Sequence, residues 1–192
     1  MPPKAKFTKE EMIQAAISIV ERDGSDALTA RSLASALGSS ARPIFTVFSG
    51  MNEVNDAVCA YANAVYGDYV RNGLREEKAF RGVGKAYIRF AAERPRLFQL
   101  LFMREQNKLP DQSSILVGIE EHYREILHSI TEEYGVDENT ANSLYFHIWV
   151  YSHGLAVLIA TRMCTFSAED ITKNITEVFR ALVKKVKTEG TL

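Results

Sequence analysis

Cysteine is scarce in this chain: Cys59 and Cys164 are the only two in 192 residues. A disulfide framework or a cysteine zinc site needs more of them at closer spacing, which excludes both. Each lies in a helical pattern and is predicted to be a buried small apolar residue in a reducing compartment. Charge of one sign is also lacking, since 23 Lys and Arg stand against 24 Asp and Glu. Any basic surface for a nucleic acid therefore has to be local. No stretch approaches the ~20 apolar residues that span a bilayer, and the basic start from Pro2 to Lys6 has no apolar core after it. Membrane insertion and secretion are set aside, and a cytoplasmic protein is expected. No segment alternates like a half-buried strand. With 46% hydrophobic residues there is enough apolar surface for a core, so the predicted fold class is all-α.

The helices announce themselves by caps and stripes. Thr8 with Glu11 three residues later forms a capping-box pattern, followed by Met12, Ile13, Ala16, Ile17 and Val20 on one face until Asp23 and Gly24 end the helix. Between Thr29 and Gly50 two short helices are predicted. Thr29 caps the first, whose face carries Leu33, Ala34 and Leu37, and Gly38 supplies the exit. Ser40 is predicted to cap the second, with Pro43 in its first turn and Ile44 and Phe48 as its anchors. This is a helix-turn-helix pattern, in which the second helix enters the major groove of DNA.

A long helix from Met51, through Val54, Val58, Tyr61 and Val65, is predicted to connect two domains, at 1–56 and 57–192. Beyond it come a helix closing at Tyr87 to Ala92, a restart after Glu93-Arg94-Pro95, a loop over Leu109 to Ser114, and one helix from about Ser114 to Tyr134 ended by Gly135. Two long helices follow, with stripes Leu144, Ile148, Leu155, Ile159, Met163 and Ile171, Ile175, Val178, Leu182, Val186. The second starts at Ser167, with Asp170 completing a capping box. Leu158, Phe179 and Val183 lie outside these stripes. Either they exceed what one partner helix covers, which a homodimer would bury, or they face the chain's own core.

Leu28-Thr29-Ala30-Arg31-Ser32-Leu33-Ala34, Gly38-Ser39-Ser40 and Ile44-Phe45-Thr46-Val47-Phe48 together resemble the DNA-binding region of TetR-family transcriptional regulators, over residues 8 to about 58. The run from Tyr87 to Phe102 and the cluster Trp149, His153, Gly154 resemble the regulatory domain type named after Trp, His and Gly. The resemblance implies a three-helix DNA-binding head and a larger helical regulatory and dimerisation domain, about nine helices in all. It also implies a homodimeric repressor, paired through its last two helices and released from its operator by a small molecule. The family usually has Tyr where Phe45 stands, Lys where Met51 stands and often His at Val47. Tyr and Lys there hold phosphates, so weaker DNA binding is expected.

The candidate DNA-facing residues are Thr29, Arg31, Ser40, Ala41, Arg42, Pro43, Phe45 and Thr46. Arg31 and Arg42 have the reach to pair bidentately with guanine, or to hold a phosphate. Candidate contacts for an apolar or amphipathic effector are Phe98, Phe102, Tyr123, Phe146, Trp149 and His153. Trp149 and His153 share a helical face; His153 is either a ligand contact or a satisfied interior histidine, and Gly154 a packing glycine. No cofactor or metal is expected. Glu125-Ile-Leu-His128 has the spacing of a carboxylate-bridged di-iron ligand pair but no second copy, and no phosphate loop or nucleophile elbow is present, so an enzyme is not expected. The alternative function is a helical sensing or dimerisation module with a vestigial reading head.

Overall fold

A computed structural model describes residues 7–105, 110–112 and 114–189. Among them the chain is all-α: ten α-helices and one 3-10 turn, with no strand, against the nine or so helices expected. They form two compact units, Met1–Val65 with Arg94–Arg104, and Tyr66–Glu93 with Glu105–Leu192. The expected domain border at 56/57 thus falls inside a helix, α4 (Met51–Leu74), which contributes residues to both units. Leu109 and Ser113, in the expected loop, lie outside the described residues.

In the first unit, α1 (Lys9–Asp23) starts on the predicted capping box. Thr8 Oγ1 accepts from the Glu11 amide at 3.1 Å, and the Thr8 amide donates to the Glu11 carboxylate at 2.8 Å. Met12, Ala16, Ile17, Ile19 and Val20 are its buried face. Gly24, at φ 94° and ψ 170°, ends it in a conformation open only to glycine. A 3-10 turn, Ser25–Ala27, leads to α2 (Ala30–Ala36). Here Ser32 replaces the usual Glu of a capping box: Thr29 Oγ1 accepts from the Ser32 amide at 3.1 Å, and the Thr29 amide donates to Ser32 Oγ at 2.9 Å. The unit is completed by the head of α4 and by α6 (Pro95–Phe102), which packs on α1. Arg94, just before α6, pairs with Glu21 of α1.

The second unit contains the end of α4, α5 (Ala79–Glu93), α7 (Ile115–Ile119), α8 (Tyr123–Tyr134), α9 (Glu138–Ala160) and α10 (Ala168–Glu189). α5 and α9 form its central pair, flanked by α8 and α10. The glycines Gly73 and Gly82 let α4 and α5 cross backbone to backbone: a Cβ at Gly82 would stand 2.2 Å from the Gly73 carbonyl oxygen. α8 ends at Gly135 in the left-handed region, φ 64°, as predicted. Asp137 caps α9, accepting from the Thr140 amide at 3.0 Å. Ser167 and Asp170 cap α10 reciprocally, each amide donating to the other's side chain at 3.0 Å. Contrary to the expectation that no segment is apolar enough to span a bilayer, α9 is long and apolar enough, by length and composition, to cross a membrane. Leu144, Tyr145, Ile148, Leu155 and Ala156 are among its buried positions.

Two expectations are corrected. The single helix from Ser114 to Tyr134 is two, because Glu120 turns extended and sends its carboxylate into the core. Neither cysteine is buried: Cys59 is half-buried beside Arg104, and Cys164 is exposed in the turn that follows α9. Of the two alternatives left open for Phe179, the structure shows the second: it packs on Phe80 and Tyr134 within its own unit.

Candidate functional site

The segment from Thr29 to Gly50 acquires its shape from local chemistry. α2 closes with paired bonds: the Ser39 amide reaches the Ala34 carbonyl at 2.9 Å and the Gly38 amide reaches Ser35 at 3.0 Å. Such a closure puts the residue after the cap in the left-handed region, and Gly38 has φ 60°. The chain then turns through residues 39–43, and α3 is only Ile44–Val47. Pro43 stands at its N-cap with no side-chain cap, so the expected Ser40 cap is not formed. The Ile44 amide bonds the Ala41 carbonyl at 3.1 Å, which makes 41–44 a turn and delays the helix.

Ile44 and Phe48 are buried as predicted, and with Leu33 and Ala34 they hold the two short helices in the core of the first unit. The opposite side faces outward. Thr29, Arg31, Ser40, Arg42, Phe45 and Thr46 are exposed, while Ala41 and Pro43 are half-buried. No carboxylate engages Arg31 or Arg42 among the described residues. Phe45 is 50% exposed, an unusual position for a large apolar ring. Thr46 donates its hydroxyl proton to the Pro43 carbonyl at 2.6 Å, which leaves the oxygen as an acceptor. Thr29 is spent on its cap.

At the start of α4 the Glu53 carboxylate accepts from the Ser49 amide at 2.8 Å and pairs with Lys9 at 2.7 Å. Lys9 and the Ser49 bonds lower its pKa to about 2. Lys9 also lies 5.0 Å from the centre of the Phe48 ring. The C-terminal end of the 29–50 segment is thereby tied to its own unit.

The six residues expected to meet an effector do not share one unit. Phe98 and Phe102 pack on each other in the first, with Phe98 fully buried. Tyr123, Phe146, Trp149 and His153 belong to the second. Phe146, Trp149 and His153 form an aromatic ladder along α9, the last two stacked at 5.2 Å. Tyr87 of α5 meets it: its hydroxyl lies 2.8 Å from His153 Nδ1. Burial lowers the His153 pKa, which favours the uncharged ring beside the Tyr87 hydroxyl. Tyr123 donates to Asn142 at 3.0 Å and stacks on Tyr145.

Several cavities open in the second unit, and one of about 310 Å³ lies among Asn72, Gly73, Lys85, Arg89, Ile171 and Thr172. A small one, about 20 Å³, is lined by Tyr66, Tyr87, Tyr145, Trp149 and Ser152. Ser152 is 2% exposed and its hydroxyl has no partner. The space suffices for one water molecule. A larger one, about 220 Å³, lies among α5, α8, α9 and α10, with Phe80, Tyr134 and Phe179 in its wall and Arg81 and Arg180 at its rim.

Sequence reasoning missed Glu120. It is 6% exposed, accepts from the Tyr66 hydroxyl at 2.6 Å and from the His122 amide at 3.0 Å, and its pKa is raised, chiefly by burial. A signal existed: Glu120 stands four residues after Leu116 and three before Tyr123, on the face that Ile126 and Leu127 continue inward. Glu125 and His128 are both exposed on α8, and the Glu125 carboxylate is engaged by His122 Nδ1 at 2.6 Å.

Residues 80–186, more than half of the chain, match a family model described as tetracyclin repressor-like, C-terminal domain. No curated protein matches the chain.

Proposed function

Since the chain belongs to the tetracyclin repressor-like family of transcriptional regulators, we propose that it is a homodimeric, cytoplasmic, non-enzymatic repressor that binds a pseudo-palindromic operator and leaves it when an effector occupies the second unit. The observation that carries the DNA-binding part is the two-sidedness of residues 40–48: Ile44 and Phe48 are buried while Arg42, Phe45 and Thr46 are exposed. In this reading Arg42 reads a base edge, Phe45 packs on thymine methyl groups, and Arg31 holds a phosphate or a guanine. Thr29, Ser40, Ala41 and Pro43 line the same approach. With Phe45 and Met51 supplying no phosphate donors, affinity rests on few cationic contacts, and its dependence on salt is shallower than for a regulator with many.

Dimerisation is assigned to α9 and α10. Val150 is 48% exposed on α9, and four residues on, a Cβ at Gly154 would meet nothing, which leaves a flat strip where a second helix can approach closely. Two reading heads related by a two-fold axis then meet half-sites about one helical turn, ~34 Å, apart. An effector acts through differential affinity for the two head spacings, with α4 as the element whose residues are shared by both units.

Arg42→Ala is expected to weaken binding to the selected operator by about 1–3 kcal/mol and to relax preference at one position per half-site. A titration of duplexes varied at each position reads both effects. An unchanged profile would remove Arg42 from the reading set, and no duplex binding even at low salt would favour a sensing module with a vestigial head.

A further inference from the structure

We propose that the cavity of about 220 Å³ among α5, α8, α9 and α10 is a binding site for a small aromatic organic anion, such as an aryl carboxylate. The regulatory meaning of this site rests on the effector reading above; the binding chemistry does not. Phe80, Tyr134, Ile148, Ile175 and Phe179 make the wall apolar, with Phe179 4.9 Å from Tyr134 and 5.7 Å from Phe80, ring to ring. Such a wall takes a flat ring by edge or offset contact. The volume lies below the ~300 Å³ at which drug-sized pockets begin, which suits one or two fused rings.

The rim selects the charge. Lys78 pairs with Glu133 at 3.3 Å, and Glu133 also accepts from the Tyr134 hydroxyl at 2.6 Å, so the one carboxylate of the lining is engaged. Arg81 and Arg180 line the same cavity, and no carboxylate engages either among the described residues. Two guanidinium groups beside an apolar wall favour a planar anion, which they can hold by forked, charge-assisted bonds.

Gly84 is the independent sign that the space is kept open. A glycine inside a helix is unfavourable relative to alanine. At Gly82 that cost is explained by the Gly73 backbone against it, whereas a Cβ at Gly84 would meet nothing within 4 Å. Gly84 has no helix crossing to serve, and its missing side chain leaves room in the cavity it lines.

The test uses the full chain and three naphthalenes of like shape: 2-naphthoate, uncharged 2-naphthamide and cationic 2-naphthylmethylammonium, titrated by calorimetry. The expected result is one naphthoate per chain, bound at least tenfold tighter than the amide, with the cation weaker still. Arg81→Gln with Arg180→Gln should erase the preference for the anion and leave amide affinity within twofold. Gly84→Leu should abolish binding of both while circular dichroism shows the helices retained, and if that variant fails to fold, Gly84→Ala should weaken naphthoate severalfold. Equal affinity for acid and amide, an unaltered preference in the double arginine variant, or no binding of naphthoate would each overturn the proposal. Duplex binding by the same preparation separates the two readings: naphthoate binding without DNA binding sinks the repressor and keeps the site, and the reverse sinks the site alone.

Discussion

Gly82→Ala is expected to destabilise the second unit by about 1–3 kcal/mol or more, the range for overpacking a well-packed contact. The new methyl would sit 2.2 Å from the Gly73 carbonyl oxygen and 3.0 Å from its carbon, both backbone atoms. Backbone cannot rotate away as a side-chain end can, so α4 and α5 must separate and lose contact along their crossing. Gly84→Ala, two residues along the same helix, meets nothing and should stabilise by up to about 1 kcal/mol through helix propensity. Chemical denaturation followed by fluorescence of Trp149, the single tryptophan, reports on this unit. Equal effects of the two alanines would show that the close crossing is not real.

The second large effect is a pH dependence centred on Glu120. Burial raises its pKa above that in the unfolded chain, against the opposing bonds from Tyr66 and His122. The sign follows: the protonated group's contribution is complete below the unfolded carboxylate's pKa and is lost as pH rises through the raised one. Stability of the second unit should fall from the ordinary carboxylate range upward. Glu120→Gln, which keeps an acceptor for the Tyr66 hydroxyl, should match the parent near pH 4 and exceed it at pH 8. Tyr66→Phe removes a donor that favours the carboxylate, and should cost about 1–3 kcal/mol at neutral pH and less in acid. Parallel pH profiles for parent and Glu120→Gln would refute the assignment.

What sequence alone made legible was local. The capping pairs Thr8 with Glu11 and Ser167 with Asp170, the stops at Gly24 and Gly135, and the buried anchors Ile44 and Phe48 depend on neighbours a few residues away, so spacing finds them. α6 is different. Its apolar face says only that something covers it, and that the partner is α1, in the first unit, is a tertiary choice no periodicity encodes. That choice put Phe98 and Phe102 in one unit and Trp149 and His153 in the other. Glu120 was hidden by assuming one continuous helix, and a carboxylate on an apolar face was the warning. The cavity of about 220 Å³ escaped because its walls come from four helices, and because Arg81 and Arg180 look like any solvated arginines in the chain. The length of α3 turned on a turn at 41–44 that Ser40 and Pro43 also allow in a longer helix.

That Arg42, Phe45 and Thr46 project from the first unit to read DNA is the claim on which the proposed function stands. Selection of bound sequences from a random duplex pool by the full-length protein tests it most directly. Enrichment of a two-fold symmetric motif with half-sites about one helical turn apart, lost in Arg42→Ala, is the result this account predicts. A pool that stays unenriched through successive rounds at low salt would contradict it.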